Sequence, residues 1–386
     1  MRSKCLLIVF ICLISSACHP PIDETELDQT LQLIVDDGLV AGFAVAVFNK
    51  DDILFAKGYG YADLKLRTLY TTQTQQIVAS VSKTAIGLAL VLADEMALLS
   101  LDDPINNHLP FPAVNPFFPE EAITIRHLAT HTSTIAYSDQ ISGDLAFSQN
   151  ALPLRDFVFH YLSPAGDWYR DQNFSNNKPG TYFDYTNISA ALAAYIVEYT
   201  SGMSFKAFTR QYLFEPMDLP AVSWYASTQN DSSSARLYNL RTPYGFEEVE
   251  RQSIGIYPVR DLVASVEELT RYCQVILNKG RYDARSVFSE KMVAELLAPA
   301  LPKNVGGEEF SLDHGLFWII DKNQLGVPAK VIGHSGGDDG IFSMLWFDPK
   351  TELGYVMLAN TSQVDANFGA YIELWQSLYR YGKNHD

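Results

Sequence analysis

Ala79-Ser80-Val81-Ser82-Lys83-Thr84-Ala85-Ile86-Gly87-Leu88-Ala89-Leu90-Val91-Leu92-Ala93 sets a serine and a lysine three residues apart and runs on as an apolar helical stretch. On a helix that spacing puts both side chains on one face, so the lysine amine can reach the serine hydroxyl. A free serine is a poor nucleophile and needs an adjacent base. Lysine can be that base only where burial or nearby positive charge lowers its pKa. The partial positive charge of a helix N-terminus also favours a developing alkoxide at Ser80. The S-x-x-K pattern alone arises by chance about once in a chain of this length, and it recurs here as Ser175-Asn176-Asn177-Lys178. That copy sits in a polar loop before Pro179-Gly180, with no helix to hold the pair, so Ser80 is the better candidate.

Outward from this helix, both ends of the chain read as strands. Residues 42–48 and 53–59 are apolar runs around the polar turn Asn49-Lys50-Asp51-Asp52, which is a hairpin signal. Residues 341–347 and 353–358 repeat it around Asp348-Pro349-Lys350-Thr351-Glu352, and a helical pattern over 367–381 follows. Residues 24–36 suggest a short capped helix. The middle, roughly 80 to 300, carries helical periodicity at 84–99, 189–201, 204–213 and 265–278. This pattern predicts an α/β (α+β) fold with an antiparallel sheet built from both termini and flanked by helices. The sheet draws on about 30–65 and 310–382, a mostly helical region occupies about 66–309, and 30–382 form one domain.

The chain has 386 residues, 47% hydrophobic and 19% charged, an ordinary globular composition. Its formal charge of −17 argues against a nucleic-acid partner, since phosphate binding needs a basic surface. Arg2 and Lys4 precede an apolar run over 5–14 and then Ser15-Ser16-Ala17-Cys18, the layout of a secretory signal peptide over 1–17. Cysteine after Ser-Ala also resembles a bacterial lipoprotein cleavage box, with Cys18 lipidated and 18–29 as a tether. Ser15 departs from the aliphatic residue usual three places before that cysteine, and plain export with cleavage after Ala17 is the alternative. Removing 1–17 takes two cations and no acid, so the mature chain is more acidic still. The longest later apolar run, 85–93, falls short of the ~20 residues a membrane span needs. Only Cys18 and Cys273 outlast cleavage, so lipid on Cys18 would leave no disulfide and the fold would rest on its core.

Two further segments carry polar side chains suited to chemistry. Tyr185-Thr186-Asn187 precedes an Ala- and Leu-rich helix. A tyrosine phenol can relay a proton, and asparagine can orient a lysine and donate to a substrate amide. The plainer reading is a buried tyrosine and a helix-capping asparagine. Gly333-His334-Ser335-Gly336-Gly337-Asp338-Asp339-Gly340 lies just before the second hairpin. Its glycines would let a substrate lie against a strand edge, where a backbone N–H could complete an oxyanion hole. The plainer reading is a glycine-rich turn.

In order and context, Ser80-x-x-Lys83, Tyr185-x-Asn187 and His334-Ser335-Gly336 resemble the signature of the penicillin-recognising serine hydrolases, whose S-x-x-K set is a known motif. That family includes class C β-lactamases, D-alanyl-D-alanine carboxypeptidases, D-aminopeptidases and esterases. Residues 58–63, 123–133, 214–217 and 314–316 look like the same family, and the resemblance covers roughly 30 to 380. It implies Ser80 as the nucleophile that forms an acyl-enzyme. Lys83 and Tyr185 would share general-base and general-acid work, and Asn187 would position Lys83 and the substrate. His334 would stand at the site usually held by the lysine of K-T-G, with Gly336 beside it on the substrate. The N–H groups of Ser80 and Gly337 would form the oxyanion hole. No metal or organic cofactor is implied, and the partner is a small-molecule or peptide substrate. A catalytically idle protein that binds peptidoglycan fragments or a partner protein is the alternative, though it has no chemical need for Lys83 and Tyr185.

Several residues depart from the family pattern. A histidine with an ordinary pKa of roughly 6.5 is mostly neutral at pH 7 and binds a substrate carboxylate less well than lysine. His334 therefore resembles carboxypeptidase, aminopeptidase or esterase members more than β-lactamases. If Asp338 and Asp339 face the cleft, they repel a substrate carboxylate; otherwise they cap a turn in solvent. Thr134 stands where relatives often have glycine. Residues 163–178, with Trp168, Tyr169 and Phe174, look like an extra loop that either shapes the pocket or decorates the surface. His127 and His131, four apart on an expected helix, invite a metal reading, but the glutamate of H-E-x-x-H is replaced by Leu128 and no third ligand is evident.

Overall fold

The strand β1 (Gly42–Phe48) reads Gly-Phe-Ala-Val-Ala-Val-Phe, and every residue in it is buried. Successive strand side chains point to opposite faces, so such a run needs apolar cover on both sides. The computed structural model, which describes residues 20–137, 152–225, 234–241, 245–250, 253–307 and 313–385, shows that cover. Phe43, Val45 and Val47 enter one core, while Ala44, Ala46 and Phe48 enter the other.

Among the described residues, eight strands form the main sheet. After β1 come β2 (Ile53–Asp63), β3 (Thr68–Leu69), β4 (Asp313–His314), β5 (Ile319–Asp321), β6 (Val331–Asp338), β7 (Ile341–Asp348) and β8 (Leu353–Ala359). Their order is β4-β5-β6-β7-β8-β1-β2-β3, and every neighbouring pair is antiparallel. The two ends of the chain meet where Phe43 of β1 lies opposite Ala359 of β8. This is the antiparallel sheet from both termini that the hairpin patterns imply.

One face of the sheet is covered by α1 (Glu24–Asp36) and the C-terminal helix Phe368–Gly382. The first buries Leu27, Leu31 and Ile34, and the second buries Tyr371, Leu374, Trp375 and Leu378, each a single apolar stripe. The other face carries α2 (Lys83–Glu95), α3 (Ile125–Ala129), α4 (Leu154–Leu162), α5 (Asn187–Ser201), α6 (Phe205–Thr209), α7 (Val266–Leu277) and α8 (Glu290–Leu297). α2 and α5 are buried almost all round, as expected of helices at the centre of that layer.

Some boundaries differ from the sequence reading. β2 continues to Asp63, because Tyr61 and Asp63 pair with β3. The helix expected over 84–99 ends at Glu95, where Ala97 takes a left-handed φ of 56° and Leu98 N–H closes back on Ala93 O. The stretch 204–213 is α6 followed by a π-helical turn, Arg210–Phe214. The helical region also holds strands, including Gln76–Ile77 paired with Leu262–Ala264, and the hairpin Leu237–Arg241 with Gly245–Val249. Residues 1–17 and Cys18 lie outside the described residues, Cys273 is buried and free, and no described helix is long and apolar enough to cross a membrane.

Candidate active site

Ser80 is presented by a short turn with a strained entry. Ala79 has a φ of +46°, a conformation that costs an L-residue roughly 1–2 kcal/mol. Tight packing holds it there: Ala79 is buried against Ile77, Val263 and Ile341. The 3₁₀ turn Ala79–Ser82 then runs straight into α2. Its flanks are tied down, since Val78 N–H donates to Leu262 O (2.9 Å) and Leu262 N–H donates to Ser82 Oγ (3.2 Å). Strand β6 passes so close that a Cβ on Gly336 would lie 2.8 Å from Ser80 N and 2.6 Å from Val78 O. Only glycine fits there. Ser343 on β7 donates to Val78 O at 2.6 Å and pins the sheet to the same turn.

Lys83 is fully buried and its Nζ donates to two acceptors, Ser80 Oγ at 3.0 Å and Val259 O at 3.0 Å. Burial disfavours the ammonium and lowers the amine pKa to about 7, against a smaller opposing pull from the Asp338 carboxylate. The amine stands 5.2 Å from the Tyr185 ring centroid, and the Tyr185 phenol neighbours Ser80. Burial pushes the Tyr185 phenol well above its ordinary value, so it stays protonated at neutral pH. At pH 7 the amine, not the phenolate, is therefore the available base beside Ser80.

His131 braces Tyr185 from behind. Its ring centroid lies 4.4 Å from that of Tyr185, its carbonyl accepts from Asp184 N–H (2.8 Å), and its Nδ1 accepts from Thr186 N–H (3.4 Å). It adopts a φ of +55° to do so. The metal reading placed His131 on a helix with His127, but α3 ends at Ala129. His127 instead closes the capping box with Thr124. Among the described residues no group of three or more His, Cys, Asp or Glu stands together to hold a metal ion.

His334 lies on β6 with 2% exposure, and its Nδ1 donates to Ser335 O at 2.6 Å. Burial, with Lys83 adding to it, lowers its pKa to about 3, so it is neutral and carries no charge for a substrate carboxylate. The next glycine, Gly337, faces open space. Asn187 opens α5; its N–H donates to Tyr137 Oη (2.7 Å), and its buried Oδ1 has no partner. The orienting bond expected from Asn187 to Lys83 is made by Val259 O in this structure. The sequence carries no signal for that carbonyl, which comes from 176 residues downstream.

Asp338 and Asp339 do not point freely into the cleft. Asp338 pairs with Arg260 and caps Asp339 N–H (2.8 Å), while Asp339 accepts from Asn239 Nδ2 (3.4 Å). Thr134 takes a φ of +69°, so the backbone keeps the conformation that suits glycine, and Asn115 Nδ2 holds its hydroxyl at 2.9 Å. In the loop 163–178, Phe174 is buried and Trp168 packs on Phe157 and His160, so its aromatics face the helical layer. Asn173 Nδ2 anchors that loop to Tyr161 O at 2.7 Å. In the second S-x-x-K, Lys178 pairs with Glu121 at 2.6 Å, while Ser175 Oγ accepts from Asn177 Nδ2 at 3.3 Å.

A model of the Beta-lactamase family matches residues 27–375. The chain belongs to the Beta-lactamase family. This beta-lactamase-family chain is 24% identical over 338 residues to Protein flp of Staphylococcus aureus (strain NCTC 8325 / PS 47), covering 87% of itself and 63% of that relative. It thus spans less than two thirds of that protein's length. Its fold is similar to the octameric penicillin-binding protein homologue from Pyrococcus abyssi, with a TM-score of 0.73 at 22% identity over 94% of this chain and 78% of that one. It is also similar to the D-amino acid amidase from Ochrobactrum anthropi SV3, with a TM-score of 0.70 at 18% identity over 94% of this chain and 100% of that one. At such identities the likeness is one of fold. The family is one of serine hydrolases.

Proposed function

We propose that this chain is an exported serine hydrolase that cleaves an amide or ester bond through an acyl-serine intermediate. It is nearer to the peptidase and esterase members of its family than to β-lactamases. The observation that carries the reading is the buried Lys83 amine, 3.0 Å from Ser80 Oγ, with its pKa lowered to about 7. Ser80 Oγ bonds to the substrate carbonyl carbon while its proton passes to Lys83. The N–H groups of Ser80 and Gly337 meet the charge that develops on the carbonyl oxygen. The proton then leaves through the Tyr185 hydroxyl to the departing amine or alcohol. Water reverses the sequence, releasing the acid and restoring Ser80. Asn187, His334 and Gly336 border the substrate. A neutral His334 and an Arg260 engaged by two carboxylates favour substrates without a free carboxylate beside the reacting bond.

Labelling with a fluorophosphonate and a fluorescent penicillin, followed by turnover of short-chain esters and D-amino-acid amides, tests this reading. Activity on esters or amides with Ser80-dependent labelling supports it; rapid turnover of penicillins alone would place the chain with β-lactamases. A second expected result concerns pH. The base acts only when deprotonated, so kcat/KM should rise with pH and level off above about 7. The Tyr185 phenol stays protonated across this range, so no falling limb belongs to it. A profile flat from pH 5 to 9 would remove Lys83 from the base role.

Lipid attachment at Cys18 completes the proposal. Expressed with its leader in bacteria, the full chain should incorporate labelled palmitate and lose it in Cys18→Ser. Equal labelling of both forms would leave plain export in its place.

A further inference from the structure

Arg260 adjoins the reacting pair through its own chain, because the preceding residue, Val259, accepts the Lys83 hydrogen bond at 3.0 Å. Its guanidinium is 13% exposed and binds two carboxylates, Asp338 through Nε and Asp261 through Nη1 at 2.9 Å. Asp261 is wholly buried and is itself fixed by Ile254 N–H (3.1 Å) and Ser253 Oγ (3.4 Å). Arg260 is therefore held from one side and grips Asp338, four residues beyond His334 on β6, from the other. Asp338 is also the carboxylate near enough to Lys83 to favour its ammonium form.

We infer that Arg260 is a positioning residue of this site, which by pairing with Asp338 cancels the carboxylate beside Lys83 and keeps the amine free to take the Ser80 proton at neutral pH. The inference rests on the reading of Lys83 as the base. The other groups around Lys83 cannot do this. Tyr185 from the loop before α5 and His131, His314 and His334 from the adjoining segments are neutral, since burial opposes charge on each. On the far side of Arg260, Asp261 neighbours Lys206 of α6, whose amine lies over Tyr257, and Tyr257 adjoins Glu198 of α5. Arg260 is thus the cation paired with Asp338 among the described residues. A carboxylate left without its cation near an amine raises the amine pKa by about one unit or more.

The rate of Ser80 labelling by a fluorophosphonate, measured from pH 5 to 10, tests the inference without knowledge of the substrate. Arg260→Gln should move the midpoint of the rising limb up by about one pH unit and keep the alkaline plateau. Labelling at pH 7, close to the wild-type midpoint, then falls about fivefold. Arg260→Lys should keep the wild-type midpoint, and Arg260→Gln with Asp338→Asn should restore it. Asp338→Asn alone should move the midpoint to lower pH, which decides the matter even if Arg260→Gln does not fold. An unmoved midpoint in Arg260→Gln or Asp338→Asn, or a plateau lowered with no shift, would overturn the role. Wild-type protein that labels at Ser80 with a flat profile would instead sink the reading of Lys83 as base.

Discussion

Replacing Ser80 by alanine is expected to abolish fluorophosphonate labelling and to lower hydrolysis by at least ~10⁴-fold, the scale on which removing a nucleophile acts. The substitution deletes one oxygen from a partly buried side chain on a turn held by Val78, Ser82 and Ser343, none of whose bonds involve it. Lys83 keeps its second acceptor, Val259 O. The fold should therefore survive, as circular dichroism and an unfolding curve would show. Turnover that persists in Ser80→Ala would point to another nucleophile. Ser175 is a poor one, because Lys178 is committed to Glu121. Wild-type protein that neither labels nor turns over any ester or amide would leave the chain as a binding protein.

Lys83→Met is expected to cut acylation by at least ~10²-fold, the usual cost of losing a general base, and to erase the limb near pH 7. Methionine matches the length of the side chain and spares α2 the cavity that alanine would open. It also removes a buried amine whose ammonium form burial disfavours, so Lys83→Met should unfold at the same temperature as wild type or higher. Lys83→Arg separates hydrogen bonding from proton transfer. Arginine can still donate to Ser80 but stays charged at every working pH, so it should be as inactive as Lys83→Met. A Lys83→Arg protein with wild-type rates would show that the position acts only through its charge and its hydrogen bond.

The parts of the site read from the sequence are those set by local geometry. Ser80 and Lys83 face one another because a helical spacing of three puts them there, whatever surrounds them. β1, β7 and β8 were recognisable because apolar runs around polar turns leave a hairpin few alternatives. The second S-x-x-K lacks a helix to hold its pair, and Lys178 is paired with Glu121 instead. The features without a local signature are long-range. Val259, Arg260 and Asp261 belong to no recognisable motif, and the bracing of Tyr185 by His131 depends on a turn after α3 that its spacing from His127 does not show.

The order of residues along the chain is enough to specify the class of fold and the pair of groups that can make an acyl-serine. Both depend on patterns that repeat every two residues along a strand or three to four along a helix, and such patterns are written in the order of the chain. How those groups are tuned depends on packing. The amine of Lys83 loses its proton near neutral pH because packing around α2 buries it, against the pull of Asp338, which is itself paired with Arg260. Those neighbours lie far apart in the chain, and only packing brings their burial and charge to bear on one nitrogen.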